Sequence, residues 1–149
     1  MRIIGKGRRG TVYLTTFRGR PVAVKVKREG SGALRALENE AHWLQKLNAH
    51  QIGPRFIGFQ DGRLTMEYVK GEPFATWQKR QSASPRARVV RALFRQCRTM
   101  DLLKINKLEM HRPVKHILMR RGKPIMIDFE RCKMTEKPKN VTQLCHFLL

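Results

Sequence analysis

Three glycines set between two β-prone runs constrain this chain most. Gly5-Lys6-Gly7-Arg8-Arg9-Gly10-Thr11-Val12 has the spacing GxGxxGxV, and backbone without Cβ atoms can turn tightly and approach phosphate oxygens closely. A dinucleotide-binding fold would need a helix directly after the glycines. Here Thr11-Val12-Tyr13-Leu14 comes next, a β-prone run, so the segment predicts a hairpin. A glycine-rich basic turn with no ligand has the same spacing, so the motif takes its meaning from the elements downstream.

Those elements are sheet, then helix. Ile3-Ile4, residues 11–17 and residues 22–26 read as three antiparallel strands, the last two joined by Arg18-Gly19-Arg20-Pro21. Leu34, Leu37, Ala41, Leu44 and Leu47 recur at spacings of three and four, predicting an amphipathic helix over 33–48 with Ser31 and Gly32 before it. After Gly53-Pro54, residues 55–59 and 63–68 flank Asp61-Gly62 and complete a five-stranded sheet.

Beyond Gly71 and Pro73 the pattern turns helical. Residues 74–80 predict a short helix, and Ser84-Pro85 predicts the cap and first turn of a longer one reaching Leu103. On it Val89, Val90, Leu93, Phe94, Cys97 and Met100 share a face, with Arg88, Arg91, Arg95 and Arg98 opposite. Residues 117–119 and 124–127 form a second hairpin around 120–123, and 140–149 a final helix. The expectation is one α+β domain, residues 1–72 forming one lobe and 73–149 a reduced, mostly helical second lobe.

Composition narrows the function classes. With 41% apolar residues the chain is no disordered basic tail. Its 32 Lys and Arg against 11 Asp and Glu give a net charge of +21, which makes RNA, ribosomes or nucleotides plausible partners and is equally met by a solvated basic surface. Cys97, Cys132 and Cys145 are scattered and odd in number, fitting reduced thiols. No signal-like segment or membrane-length apolar run is visible, so a cytoplasmic protein without membrane contact is expected.

Val22-Ala23-Val24-Lys25 puts a cation into an alternating apolar strand, where it needs a partner to offset desolvation. At about 100° per residue, Glu40 falls between Leu44 and Leu47 on the apolar helix face, and Glu38 does not. Glu40 is therefore the predicted partner of Lys25.

The glycine loop, Val-Ala-Val-Lys, the inward Glu40 and Met66-Glu67-Tyr68-Val69 together resemble the N-terminal lobe of eukaryotic-type protein kinases over residues 3–72. The resemblance implies ATP and Mg²⁺. Gly5, Gly7, Gly10 and Val12 would cover the nucleotide, and Lys25, oriented by Glu40, would hold the α and β phosphates. The backbone of Glu67 and Val69 would bond adenine, with Met66 behind the base. Ile127-Asp128-Phe129-Glu130 stands where protein kinases carry IDFG, so Asp128 looks like the magnesium-binding aspartate, with Glu130 as a second carboxylate. With Arg131 the segment is similar to small atypical kinases, including RIO kinases and the sugar kinases that act on lipopolysaccharide Kdo.

The catalytic loop departs from that pattern. Where HRDLxxxN or HGDxxxxN is expected, Glu109-Met110-His111-Arg112-Pro113-Val114-Lys115-His116-Ile117-Leu118 stands. Aligned from its start, Pro113 replaces the base aspartate; aligned back from Ile117-Leu118, His111 replaces the aspartate and His116 the metal-binding asparagine. Glu109 or His111 could accept the hydroxyl proton, Lys115 could neutralise the γ-phosphate, and His116 could hold metal or a phosphate oxygen; histidines that merely pack or face solvent are the alternative.

The sequence supports two readings. One is an ATP-dependent atypical serine/threonine-type protein kinase using Lys25, Glu40 and Asp128. The other is an ATP-binding pseudokinase, a scaffold whose Arg88, Arg91, Arg95 and Arg98 face engages RNA or an acidic protein. Because about 20 residues lie beyond Asp128, no activation segment or peptide-binding helices are expected. A short or unusual substrate, or a partner completing the lobe, is expected instead.

Overall fold

Alternating valines and tight glycine-bearing turns give the first half of the chain a sheet. The computed structural model describes residues 1–7, 10–28 and 32–149, and for Ala33, His111 and Val114 the backbone alone. The chain is α+β and divides into two compact units, Met1–Val69 and Lys70–Leu149.

In the first unit β1 (Arg2–Lys6), β2 (Gly10–Phe17), β3 (Arg20–Lys27), β4 (Phe56–Gln60) and β5 (Arg63–Glu67) form one antiparallel sheet in the order β1-β2-β3-β5-β4. Arg18-Gly19 and Asp61-Gly62 turn with φ of 50° and 74°, and 50° and 69°, the positive values a two-residue hairpin loop requires. The Gly7 N–H donates to the Gly10 carbonyl at 2.8 Å; Arg8 and Arg9 lie outside the described residues.

The three glycines of that loop differ in kind. A Cβ on Gly10 would lie 2.5 Å from the Val26 carbonyl oxygen of β3, whereas one on Gly5 would meet only the Val12 side chain at 3.7 Å. Gly10 is thus demanded by strand packing, and the other two leave bare backbone that packing does not require.

One helix, α1 (Ala33–Asn48), covers the sheet. Leu37 and Ala41 pack with Leu64 of β5, and Phe56, Phe59 and Met66 close around them; Leu44 and Leu47 are also buried. Each buried side chain of this size contributes roughly 1.5–3 kcal/mol, so apolar burial rather than any single polar contact holds the helix down. Leu34, predicted on this face, is 36% exposed. Ser31 lies outside the described residues, and Gly32 at the N-cap offers no side chain to cap the helix. At the other end the Asn48 amide donates to the Ile52 and Pro54 carbonyls and its oxygen accepts the Phe56 N–H, pinning the loop into β4.

The second unit runs β6 (Glu72–Pro73), α2 (Phe74–Gln78), α3 (Ala83–Leu102), β7 (Ile105–Asn106), 3-10 turns at Leu108–His111 and Pro113–Lys115, then β8 (Ile117–Arg120), β9 (Lys123–Met126), β10 (Lys133–Met134) and α4 (Asn140–Leu148). Its sheets are β6-β8-β9 and the pair β7-β10. Arg80 hydrogen-bonds Glu72 and thereby holds that carboxyl below its usual range. Ser82, not Ser84, precedes α3, so Ser84 and Pro85 fall in the first turn, where proline's missing N–H costs nothing. Val89, Leu93, Cys97 and Met100 are buried, and Arg88, Arg91, Arg95 and Arg98 are exposed. No described helix is long and apolar enough to cross a membrane.

This packing has two measurable consequences. Gly10→Ala should destabilise the chain by about 1–3 kcal/mol while Gly5→Ala changes stability little, as read by urea unfolding. Burial, reinforced by the negative charge of Asp101, pushes the Cys97 thiol up to about 12. The unfolded thiol ionises first, so its contribution to stability falls as pH rises from about 9 towards 12. Native Cys97 should resist iodoacetamide at about pH 8.5, near the ordinary thiol pKa, and react once urea opens the fold.

Candidate active site

β3 delivers Lys25 beside α1. Its Nζ donates to Glu40 Oε2 at 2.6 Å, and Glu40 is 1% exposed. The helix period that buries Leu37, Ala41 and Leu44 buries Glu40 with them, so the carboxylate has no water to turn to. Removing one partner of such a pair typically costs about 3–5 kcal/mol, because the other charge stays buried.

In the second unit the chain leaves β9 through Ile127, whose N–H donates to the His116 carbonyl at 2.9 Å, and then turns sharply. Asp128 takes φ of 65°, a left-handed conformation that aspartate adopts more readily than most residues. The buried Lys107 meets this turn. Its Nζ donates to the Asp128 carbonyl, lies 5.0 Å from the Phe129 ring centroid and 3.6 Å from Glu109 Oε2. Lys107 is 0% exposed and so is Phe129.

A second layer fixes Lys107. The Asn140 side-chain oxygen accepts the Lys107 N–H at 2.8 Å, and its amide donates to Asp101 Oδ1 and the Ile105 carbonyl at 2.7 Å each. Asp101 also accepts the Asn140 and Val141 N–H groups that open α4. The adjacent Asn106 accepts the Lys139 N–H. An acidic residue in the last turn of α3 opposes that helix's dipole, and its reason is this cap on α4.

The other expected site residues belong to both units. His116 Nδ1 lies 3.6 Å from Asp128 Oδ2, both half-buried. The Glu109 side chain is 11% exposed, with Oε2 making no hydrogen bond and Oε1 3.9 Å from Arg131 Nε. Lys115 is exposed on its 3-10 turn, Glu130 is half-buried in the turn after Phe129, and the His111 side chain lies outside the described residues. Val12 pairs with Lys25 across β2 and β3, and Met66 packs against the core of the sheet. The Glu67 N–H donates to the Arg55 carbonyl at 2.8 Å, so that donor is engaged within the sheet, while Val69 lies beyond every strand of the first unit.

Sequence reasoning missed Lys107, Asn140 and Asp101. A lysine inside Ile105-Asn106-Lys107-Leu108 was the available signal, since no cation enters an apolar stretch without an oxygen to meet it.

A five-stranded sheet with one covering helix, a strand lysine paired to a helix glutamate, and an aspartate held left-handed after a short strand define a kinase-like phosphotransferase. The chain belongs to the phosphotransferase enzyme family (APH), whose model matches residues 1–116. No curated protein matches it. Asp128 lies beyond the matched stretch, so its place rests on the geometry around Lys107.

Lys107→Met should cost about 3–5 kcal/mol in urea unfolding, because Glu109 loses its buried counter-charge. Adding Glu109→Gln should recover part of that loss. Additive losses in the double variant would mean the two side chains do not interact.

Proposed function

We propose that this phosphotransferase is an ATP- and Mg²⁺-dependent atypical kinase whose acceptor is a serine or threonine hydroxyl of a protein. The observation that carries the reading is the Lys25–Glu40 pair, a strand ammonium held by a buried carboxylate. An ammonium carries three N–H donors, so one can fix its direction on the carboxylate while others turn to phosphate oxygens. The Ile127-Asp128-Phe129-Glu130-Arg131 segment, similar to RIO and Kdo kinases, supports placing the chain among small atypical kinases.

Each residue's part rests on its chemistry. Lys25 would hold the α and β phosphates, with Glu40 as its positioning residue. Asp128 would hold Mg²⁺; a hard cation needs carboxylate oxygen, and the Lys107 bond to the Asp128 carbonyl anchors the backbone that carries it. His116 and Glu130 are the neighbours on the same unit that could complete the set. Bound Mg²⁺ supplies charge neutralisation on the phosphates.

Among the described side chains of the loop, Glu109 is the proton acceptor we favour, through Oε1, which lies on the side of the exposed Arg131, since Oε2 is buried against Lys107. As the acceptor oxygen bonds to the γ-phosphorus and the bond to the β–γ bridging oxygen breaks, the hydroxyl proton would pass to Glu109. Exposed Lys115 would meet the transferred group. Val69 and the carbonyl of Glu67 would meet adenine, the Glu67 N–H being engaged.

Single-turnover transfer of labelled γ-phosphate tests this. Wild type should turn over with Mg²⁺, Lys25→Ala and Asp128→Ala should lose at least about a hundredfold, and Glu109→Gln about 10²–10⁴-fold. ATP binding without turnover in wild type would replace the reading with the second one, a nucleotide-binding scaffold. That scaffold's partner would meet the exposed Arg88, Arg91, Arg95 and Arg98 face.

A further inference from the structure

A cleft of about 800 Å³ opens in the first unit, between the β2–β3 turn, the start of β4 and the end of β5. Its volume is within the range of ligand sites. Val12, Lys25 and Met66 do not line it, so it is distinct from the residues assigned to the nucleotide, although Glu67 borders both.

Arg18, Arg20 and Arg55 stand on its walls, all exposed. Among the described residues none of the three is held in an ion pair. The one carboxylate on the wall, Glu67, accepts the Arg55 backbone N–H at 3.1 Å. Phe17 is 46% exposed, with the Arg18 guanidinium 5.3 Å from its ring centroid, and Tyr68 lines the cleft as well.

Guanidiniums alone would suit any anion. Guanidiniums beside a partly exposed aromatic ring suit an anion that carries a flat ring, and single-stranded nucleic acid offers a phosphate and a ring at every step. An acidic peptide would use the cations and leave the rings in water. The net charge of +21 adds long-range attraction for such a polyanion.

We propose that this cleft binds a short single-stranded oligonucleotide, with a base stacked on Phe17 and phosphates on Arg18, Arg20 and Arg55. The site is independent of phosphotransfer. Fluorescence anisotropy of the full chain with labelled octauridylate, octathymidylate and an octaglutamate peptide, over roughly 50 to 200 mM salt, tests it.

Wild type should bind the oligonucleotides more tightly than the peptide. Phe17→Ala should weaken oligonucleotide binding by about five- to a hundredfold. The Arg18→Ala/Arg20→Ala/Arg55→Ala variant should also lower the salt slope by about 2, given roughly 0.7 per lost phosphate contact. Equal affinity for the two oligonucleotides means base and phosphate are read, and preference for octauridylate means the 2′-hydroxyl is read too; either supports the site. The proposal fails if no oligonucleotide binds, if octaglutamate binds as well, if Phe17→Ala has no effect, or if Arg88→Ala/Arg91→Ala/Arg95→Ala weakens binding as much. Should Phe17→Ala lower the melting temperature, Phe17→Trp, which keeps a stacking face, must retain binding.

Discussion

A lysine ammonium taken out of water must be met by oxygen, and both units of this chain are organised around one. In the first, the β3 strand carries Lys25 between apolar neighbours and α1 answers with Glu40. Sheet and helix are held mainly by leucine burial, which tolerates sliding. The ion pair does not, because a shift of one residue along α1 would rotate Glu40 by about 100° and leave two buried charges apart. Apolar packing gives this unit its stability, and the ion pair gives it register.

The second unit solves the same problem with different partners. Lys107 is met by a carbonyl, a carboxylate and an aromatic face together. The carbonyl belongs to Asp128, which presents it from a left-handed conformation, so the lysine's partner and the aspartate's turn belong to one arrangement. Each net hydrogen bond in the supporting layer is worth about 1 kcal/mol, but a buried group left unsatisfied costs about 1–3 kcal/mol. Asp101, Asn140 and Lys107 therefore stand or fall as a set. A loop that lacks the usual aspartate and asparagine can still hold its geometry, because that geometry is imposed from behind.

Local and periodic features were readable in the sequence. The helix over residues 33–48, the two tight hairpins of the sheet and the inward Glu40 all come from spacing, since a helix or strand places neighbours by its own period. Leu34 departs from its expected burial because periodicity marks a face without saying how far the sheet beneath it extends. Ser-Pro is a strong local signal for a cap at Ser84, yet the chain begins its helix directly after Ser82. The two-residue strands β6, β7 and β10 carry no period at all. They exist because distant segments reach them, and at Gly71 a Cβ would lie 2.6 Å from the Met119 carbonyl oxygen. Lys107 was hidden for the same reason, its partners standing 21 and 33 positions away in the chain.

The distribution of acidic groups ties fold to surface. The chain has only 11 Asp and Glu, and Glu40, Glu67, Glu72, Asp101, Glu109 and Asp128 are all engaged with protein partners. Few carboxylates are left to balance the surface, so most guanidiniums must face water. Where they face it differs. On α3 the arginines succeed one another along a helix, each solvated separately, with the apolar face turned inward. At the β2–β3 turn they converge around a cleft with a partly exposed aromatic ring. Solvation explains the first arrangement without further assumption; it does not explain why Phe17 stays partly exposed beside cations that no carboxylate holds among the described residues.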